Sequence, residues 1–251
     1  ADFSILKKIQ TALRKGEWKV TCAIHSDTNS NKSNIVEIWP GYYEGSIYGM
    51  AVDLGSTTIA AHLCDLQTGE VVASSGSMNP QIRFGEDLMS RVSYSMMNSK
   101  GDEEMTSSVR AGMNELFSEV AQEANISTNL IMDAVFVCNP VMHHLFLGID
   151  PFELGQAPFA LATSNAINTK SSNLELSQMH SASNVYLLPC IAGHVGADAA
   201  AVALSESPNT SEDLVLIVDV GTNAEILLGN KDKVLACSSP TGPAFEGAQI
   251  S

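Results

Sequence analysis

The chain is short of bases, of paired cysteines and of long apolar runs, and each shortage removes a class of function. Lys and Arg number 13 against 28 Asp and Glu, a net charge of -15, which repels nucleic-acid phosphates and anionic lipid over most of the surface. No nucleic-acid partner is expected. The longest uninterrupted apolar run, residues 199–204, holds six residues, against the roughly 20 that a bilayer-spanning helix needs. No membrane partner is expected either. Lys7, Lys8, Arg14, Lys15 and Lys19 are scattered through the opening residues instead of standing ahead of an apolar block, so no secretion signal is read there. Without one, the Asn-x-Ser triplets that start at Asn31, Asn125 and Asn209 count as chance. Cys22, Cys64, Cys138, Cys190 and Cys237 are 42, 74, 52 and 47 residues apart. With no CxxC pair, zinc spacing or ferredoxin cluster among them, they read as reduced core thiols of a cytoplasmic protein. A lysine-bearing phosphate loop of the G-x-x-x-x-G-K type is also missing.

What remains is a chain of 251 residues, 45% hydrophobic, enough for one large domain or two small lobes. Charge divides it: residues 1–48 hold six bases and five acids, and the remainder carries a net charge of -16. A boundary is placed near Gly49. The first residue is not Met, and the sequence reads as a piece of something longer.

Before the boundary, Phe3, Leu6, Ile9 and Leu13 recur at helical spacing up to Gly16. Residues 18–24 and 35–38 then read as strands, giving a small β-rich segment. After it come three strands in quick succession, at 50–54, 59–65 and 71–77, with links short enough for hairpins. Residues 84–97 and 103–124 read as helices, the second with Met105, Val109, Met113, Leu116 and Val120 on one stripe. Residues 134–138 form an apolar run suited to a buried strand, and Asn139-Pro140 opens the next helix. Residues 160–180 read as loop, 185–188 as a strand, 195–205 as an Ala-rich helix and 214–220 as a second buried strand. Residues 224–228 and 233–237 make a hairpin that turns at Gly229-Asn230. This order predicts a mixed α/β sheet covered by helices on both faces.

Two segments echo each other. Val52-Asp53-Leu54-Gly55-Ser56-Thr57 and Val218-Asp219-Val220-Gly221-Thr222-Asn223 both run strand, Asp, apolar, Gly, hydroxyl, polar. A carboxylate at a strand end can hold the water shell of Mg²⁺, while a glycine lets backbone N–H groups approach an oxyanion. The hydroxyls of Ser56, Thr57, Thr58 and Thr222 add donors for phosphate oxygens. Two such loops facing each other would grip a polyphosphate from both sides.

The pair resembles the two phosphate loops of the acetate and sugar kinase, heat-shock chaperone and actin superfamily. Pro189-Cys190-Ile191-Ala192-Gly193-His194-Val195-Gly196-Ala197-Asp198 is similar to its first connecting helix. Asn79-Pro80-Gln81, Gly85-Glu86-Asp87-Leu88-Met89-Ser90-Arg91, Asn139-Pro140-Val141-Met142-His143-His144 and Ser238-Ser239-Pro240-Thr241-Gly242-Pro243-Ala244-Phe245-Glu246-Gly247-Ala248 narrow the match to the reductive activators of corrinoid proteins. The resemblance implies an actin-like ATPase fold of the ribonuclease H-like type, with residues 1–48 as linker and small middle segment. Residues 49–251 would be a first lobe that stops before the second.

The implied activity is ATP-dependent return of an oxidised corrinoid (cobalamin) cofactor on a methyl-transfer protein to its reduced state. ATP and Mg²⁺ are the implied cofactors, and the 2Fe-2S cluster is expected only in a missing upstream ferredoxin domain. A corrinoid protein is the implied partner and a homodimer the implied assembly. Residue by residue, Asp53 and Asp219 become candidate metal-positioning groups. Gly55, Ser56, Thr57, Thr58, Gly221, Thr222 and Asn223 become candidate phosphate contacts. Asp198 and Glu225 become candidate water-orienting groups, with a helix-capping carboxylate and a hairpin residue as their plain alternatives. His143 and His144 could touch the corrinoid partner, Arg83 and Arg91 read as salt-bridge residues by default with an anionic partner as the alternative, and Cys138 and Cys190 read as core. A small-molecule kinase of the same fold and a docking module without turnover are the competing function classes.

Overall fold

A computed structural model describes residues 3–27 and 32–241. Asn31 and the Gly-rich stretch from Gly242 onward lie outside the described residues. The opening helix α1 (Phe3–Lys15) packs on a hairpin of β1 (Val20–Asp27) and β2 (Lys32–Pro40). Its buried stripe is Ile5, Ile9 and Ala12, which meet Ile38, Val20 and Cys22, whereas Leu6 is exposed. The expected helix is present, with its apolar face turned one residue from the predicted one.

The main body is a six-stranded mixed sheet in the order β5-β4-β3-β6-β8-β7. Strands β3 (Tyr48–Leu54), β4 (Thr58–Asp65) and β5 (Val71–Met78) form an antiparallel meander, as their short links require. β6 (Ile131–Cys138) and β8 (Asn184–Leu187) run parallel to β3, and β7 (Ile167–Lys170) closes the edge antiparallel to β8. The helices that cover the sheet are α2 (Leu88–Met97), α3 (Gly101–Glu123), α4 (Pro140–Leu147) and α5 (Ala197–Glu206). All five stripe residues predicted on α3 are buried: Val109, Met113, Leu116 and Val120 pack in the sheet core with Phe136, whose ring meets Phe146 in a tilted contact at 4.6 Å, and Met105 packs with Val92, Val141 and Leu145.

Register places the candidate loops. Leu54 pairs with Cys138 across the parallel β3/β6 ladder, and Phe136 pairs with Leu187. The chain therefore leaves β3, β6 and β8 on one edge of the sheet, the carboxyl edge where parallel α/β sheets take ligands. A second, separate sheet of β9 (Val215–Val220), β10 (Asn223–Gly229) and β11 (Val234–Pro240) follows in antiparallel order. α5 touches both β6 and β10 and so ties the two sheets together.

Three local expectations are corrected. The helix expected from residue 84 begins at Leu88, capped by Asp87, whose carboxylate accepts from the Ser90 N–H at 2.7 Å; a 3-10 turn, Pro80–Phe84, precedes it. Residues 160–180 contain β7, an edge strand too polar (Ile167-Asn168-Thr169-Lys170) to show in an apolar pattern. β9 is not buried: Leu216, Val218 and Val220 project from one face at 62%, 47% and 50% exposure.

The core assignment has a direct test. Phe136→Ala should lower the unfolding free energy by about 3–5 kcal/mol, while Tyr42→Ala, at a side chain 85% exposed, should change it by less than about 0.5 kcal/mol. Urea titration of both variants reads the contrast, and equal effects would contradict the packing described.

Candidate functional site

The two echo loops meet. The Thr57 and Thr222 hydroxyls lie 3.0 Å apart and buried, although 165 residues separate them in sequence. Each hydroxyl follows a glycine at the end of a strand of its own sheet, so the contact spans the junction between the sheets. Gly55 is required by close approach, since a Cβ there would stand 2.5 Å from the Thr58 carbonyl oxygen. Ser56 is buried with Thr57, Thr58 is exposed, and Gly221 and Asn223 are half-buried. Thr241 braces the second loop: its hydroxyl donates to the Gly221 carbonyl and, at 3.0 Å, to the Thr222 carbonyl, and its N–H donates to the latter at 3.1 Å.

Four carboxylates face the same junction. Glu225 is paired across the ladder with Asp219 and accepts a hydrogen bond from Ser238 at 3.1 Å. Asp198, in the first turn of α5, accepts from the Ala199 N–H at 2.8 Å. Burial, with the like charges of Glu225, Asp53 and Asp219 added, pushes its carboxyl up to about 7. Burial also raises Glu225, helped by Asp219 and opposed by the Ser238 bond. Asp53 and Asp219 are exposed at their strand ends. Among the described residues no three His, Cys, Asp or Glu side chains are placed to ligate one metal ion directly. A bound Mg²⁺ would keep its water shell and take remaining ligands from phosphate, which is the usual arrangement for that ion. The crowding of negative charge at Asp198 fits such a cation.

α5 can approach β6 this closely because Gly196 has no side chain: a Cβ there would lie 2.5 Å from the Cys138 carbonyl oxygen. Cys138 and Cys190 are both buried, as expected, and burial followed by the Asp198 charge keeps their thiols protonated, Cys190 at about 11. A cavity of about 430 Å³ opens beside the second loop, bounded by Thr222, Asn223, His194, Val141, Met89 and Asp87.

The other candidates take different places. His143 and His144 are buried at 0% and 1% exposure, so neither presents a surface to a partner. His144 bridges the Pro140 carbonyl and the Ala162 N–H at 2.8 and 3.0 Å, and burial with His144 alongside lowers His143 to about 4. Arg83 lies over the Phe84 ring and donates to Ser108 at 3.3 Å. Neither Arg83 nor Arg91 forms an ion pair among the described residues; Arg91 is fully buried and donates to the Ser56 and Gly85 carbonyls, the latter at 3.1 Å. The salt-bridge reading of both is thus corrected. Sequence reasoning missed Asn79, Arg91 and Thr241 as loop contacts. The signal for Asn79 was the Asn-Pro step, and for Arg91 a scarce base in an acidic stretch of chain.

The sheet order and the paired strand-end loops define an actin-like domain of the superfamily named above, whose members generically bind ATP with Mg²⁺. The chain belongs to the RACo family: residues 48–208 match the RACo middle region, residues 1–45 the RACo linker region, and residues 213–251 the C-terminal domain of RACo, the ASKHA domain. It is 34% identical over its whole length to the corrinoid activation enzyme RamQ of Eubacterium limosum, covering 41% of that protein. Over 214 residues, 82% of the chain, it is 25% identical to the [Co(II) methylated amine-specific corrinoid protein] reductase of Methanosarcina barkeri, covering 38% of it. The solved reductive activator for corrinoid, iron-sulfur protein superposes over the whole chain with a TM-score of 0.92 at 32% identity, 39% of that structure being covered. The chain thus spans about two fifths of the relatives it matches. Among the described residues no helix is long and apolar enough to cross a membrane.

The Asp198 environment predicts a pH effect with a definite sign. Its folded value near 7 stands above the ordinary 3.8, so the stability this group contributes is full below the unfolded value and is lost as pH rises through the folded one. Asp198→Asn should therefore raise the melting temperature by an amount that grows between about pH 4 and pH 7 and levels off above. A gain that is flat or shrinks over that range in differential scanning calorimetry would contradict the charge cluster.

Proposed function

We propose that this chain supplies the nucleotide grip of an ATP-dependent reductive activator, one that returns oxidised corrinoid cofactors of methyl-transfer proteins to the reduced state. The observation that carries the reading is the 3.0 Å meeting of the Thr57 and Thr222 hydroxyls across two sheets, in a chain with one relative named for corrinoid activation and another for corrinoid-protein reduction. In this reading residues 55–58 and 221–223 hold the phosphate chain from opposite sides. Thr57 and Thr222 exchange their mutual hydrogen bond for bonds to phosphate oxygens. Asp53 and Asp219 order the water shell of Mg²⁺, which when bound neutralises phosphate charge. Asp198, with a carboxyl near neutrality, and Glu225 beside it orient water and accept its proton. Electron transfer is assigned to no residue of this chain.

The expected single first lobe over residues 49–251 is divided in this proposal: residues 49–210 would form the first lobe around the six-stranded sheet, and β9, β10 and β11 would open the second. The separate three-stranded sheet supports this division, and the exposed apolar face of β9 suits a surface on which more of a second lobe packs. Closure of the lobes on nucleotide would then alter how the corrinoid partner docks, which requires a differential affinity for the closed state.

Calorimetry on the full-length protein tests the grip. Asp53→Asn and Asp219→Asn preserve size while removing the charge that orders the metal, and each should weaken Mg-ATP binding about tenfold or more. Unchanged affinity and turnover in both would remove the assignment.

A further inference from the structure

Both candidate phosphate loops are held by their carbonyls, and the first is held by a buried network. The Asn79 N–H donates to the Thr57 carbonyl at 2.8 Å, and its side-chain amide donates to the Gly55 carbonyl at 2.8 Å. The Arg91 guanidinium donates to the carbonyl of Ser56, between them. Three successive peptide oxygens are thereby fixed from behind. In a trans peptide the N–H of the next residue points opposite to the carbonyl, so the N–H groups of Ser56, Thr57 and Thr58 are turned away from these anchors. That is the orientation an anion-binding loop needs.

The anchors are themselves fixed. Asn79 caps the 3-10 turn, its side-chain oxygen accepting from the Gln81 N–H at 2.9 Å, and Gln81 donates to the Met105 carbonyl at 2.9 Å. Arg91 also reaches Gln81 at 3.4 Å and the Met142 sulfur at 3.0 Å. Asn79, Gln81 and Arg91 are 1%, 0% and 0% exposed. The hydrogen-bond acceptors of this buried guanidinium are all neutral, which makes it costly to desolvate; the Asp87 carboxylate acts on it from further off, and its positive charge lies behind the loop that would carry phosphate charge.

We propose that Asn79 and Arg91 are positioning residues of the phosphate site: Asn79 sets the loop's shape, and Arg91 both orients the Ser56 peptide and supplies a buried positive field that favours the anionic end of the nucleotide. The inference rests on the phosphate-loop reading above and adds to it two residues that never touch the ligand. It distinguishes them from packing residues, whose loss would weaken every ligand alike.

The test uses the full-length protein with Arg91→Lys, which keeps the charge but not the planar fork, and Asn79→Asp, which keeps the cap acceptor and removes the donor to Gly55. Equilibrium affinities for Mg-ATP and for adenosine are compared. Both variants should lose at least tenfold in Mg-ATP affinity with adenosine affinity held within twofold. Mg-ATP affinity within twofold of the parent, or equal losses for both ligands, overturns the proposal and leaves the phosphate reading intact. A parent protein that binds Mg-ATP no better than adenosine overturns the phosphate reading itself, and the proposal with it. Should the variants fail to fold, the parent protein decides through the Arg91 Nε–H resonance, which should shift with Mg-ATP and not with adenosine; a resonance indifferent to Mg-ATP overturns the positioning role.

Discussion

The 3.0 Å contact between the Thr57 and Thr222 hydroxyls is the point at which two separately built sheets become one site. Each loop is placed by its own strand register, and each is anchored by its own set of groups: Asn79 and Arg91 behind the first, Thr241 beside the second. The junction between them is spanned by α5, which lies against β6 and β10, and by the paired hydroxyls. A site assembled in this way has each half anchored separately from the other. That combination suits a ligand whose binding is meant to change the angle between lobes.

Charge sets the second constraint. Asp198, Asp53, Asp219 and Glu225 converge where no base among the described residues is near enough to appear among the influences on Asp198. Such crowding is unfavourable in an empty fold, and it holds Asp198 near neutrality through burial and repulsion. The arrangement is the electrostatic counterpart of the paired loops: under the proposed reading a cation with its water shell would relieve the carboxylates, and its phosphate partner would accept from the hydroxyls and amides. The two acidic strand ends and the two Gly-hydroxyl loops therefore make physical sense together and poor sense apart.

Much of this was legible from local pattern. The α3 stripe from Met105 to Val120 is buried throughout, because a 3.6-residue period specifies a face without tertiary information. The echo of Asp53-Leu54-Gly55 and Asp219-Val220-Gly221 was legible for the same reason. Where reading failed, the missing information was three-dimensional. The apolar run of β9 looks the same in sequence whether or not a neighbour covers it, and here Leu216, Val218 and Val220 stand exposed. Arg91 reads as a salt-bridge base, yet it donates instead to neutral groups, among them a carbonyl 35 residues earlier. His143 and His144 stood as possible partner contacts through their likeness to a family signature, and the helix that bears them is instead enclosed.

The central claim is that the loops at 55–58 and 221–223 act as one phosphate grip. Titration of isotopically labelled full-length protein with Mg-ATP, followed by amide resonances, asks this directly. The account predicts that the signals of both loops move together, along one saturation curve, and that the signals of β1 and β2 stay in place. Movement of one loop alone, or of neither while nucleotide binds elsewhere, would contradict it.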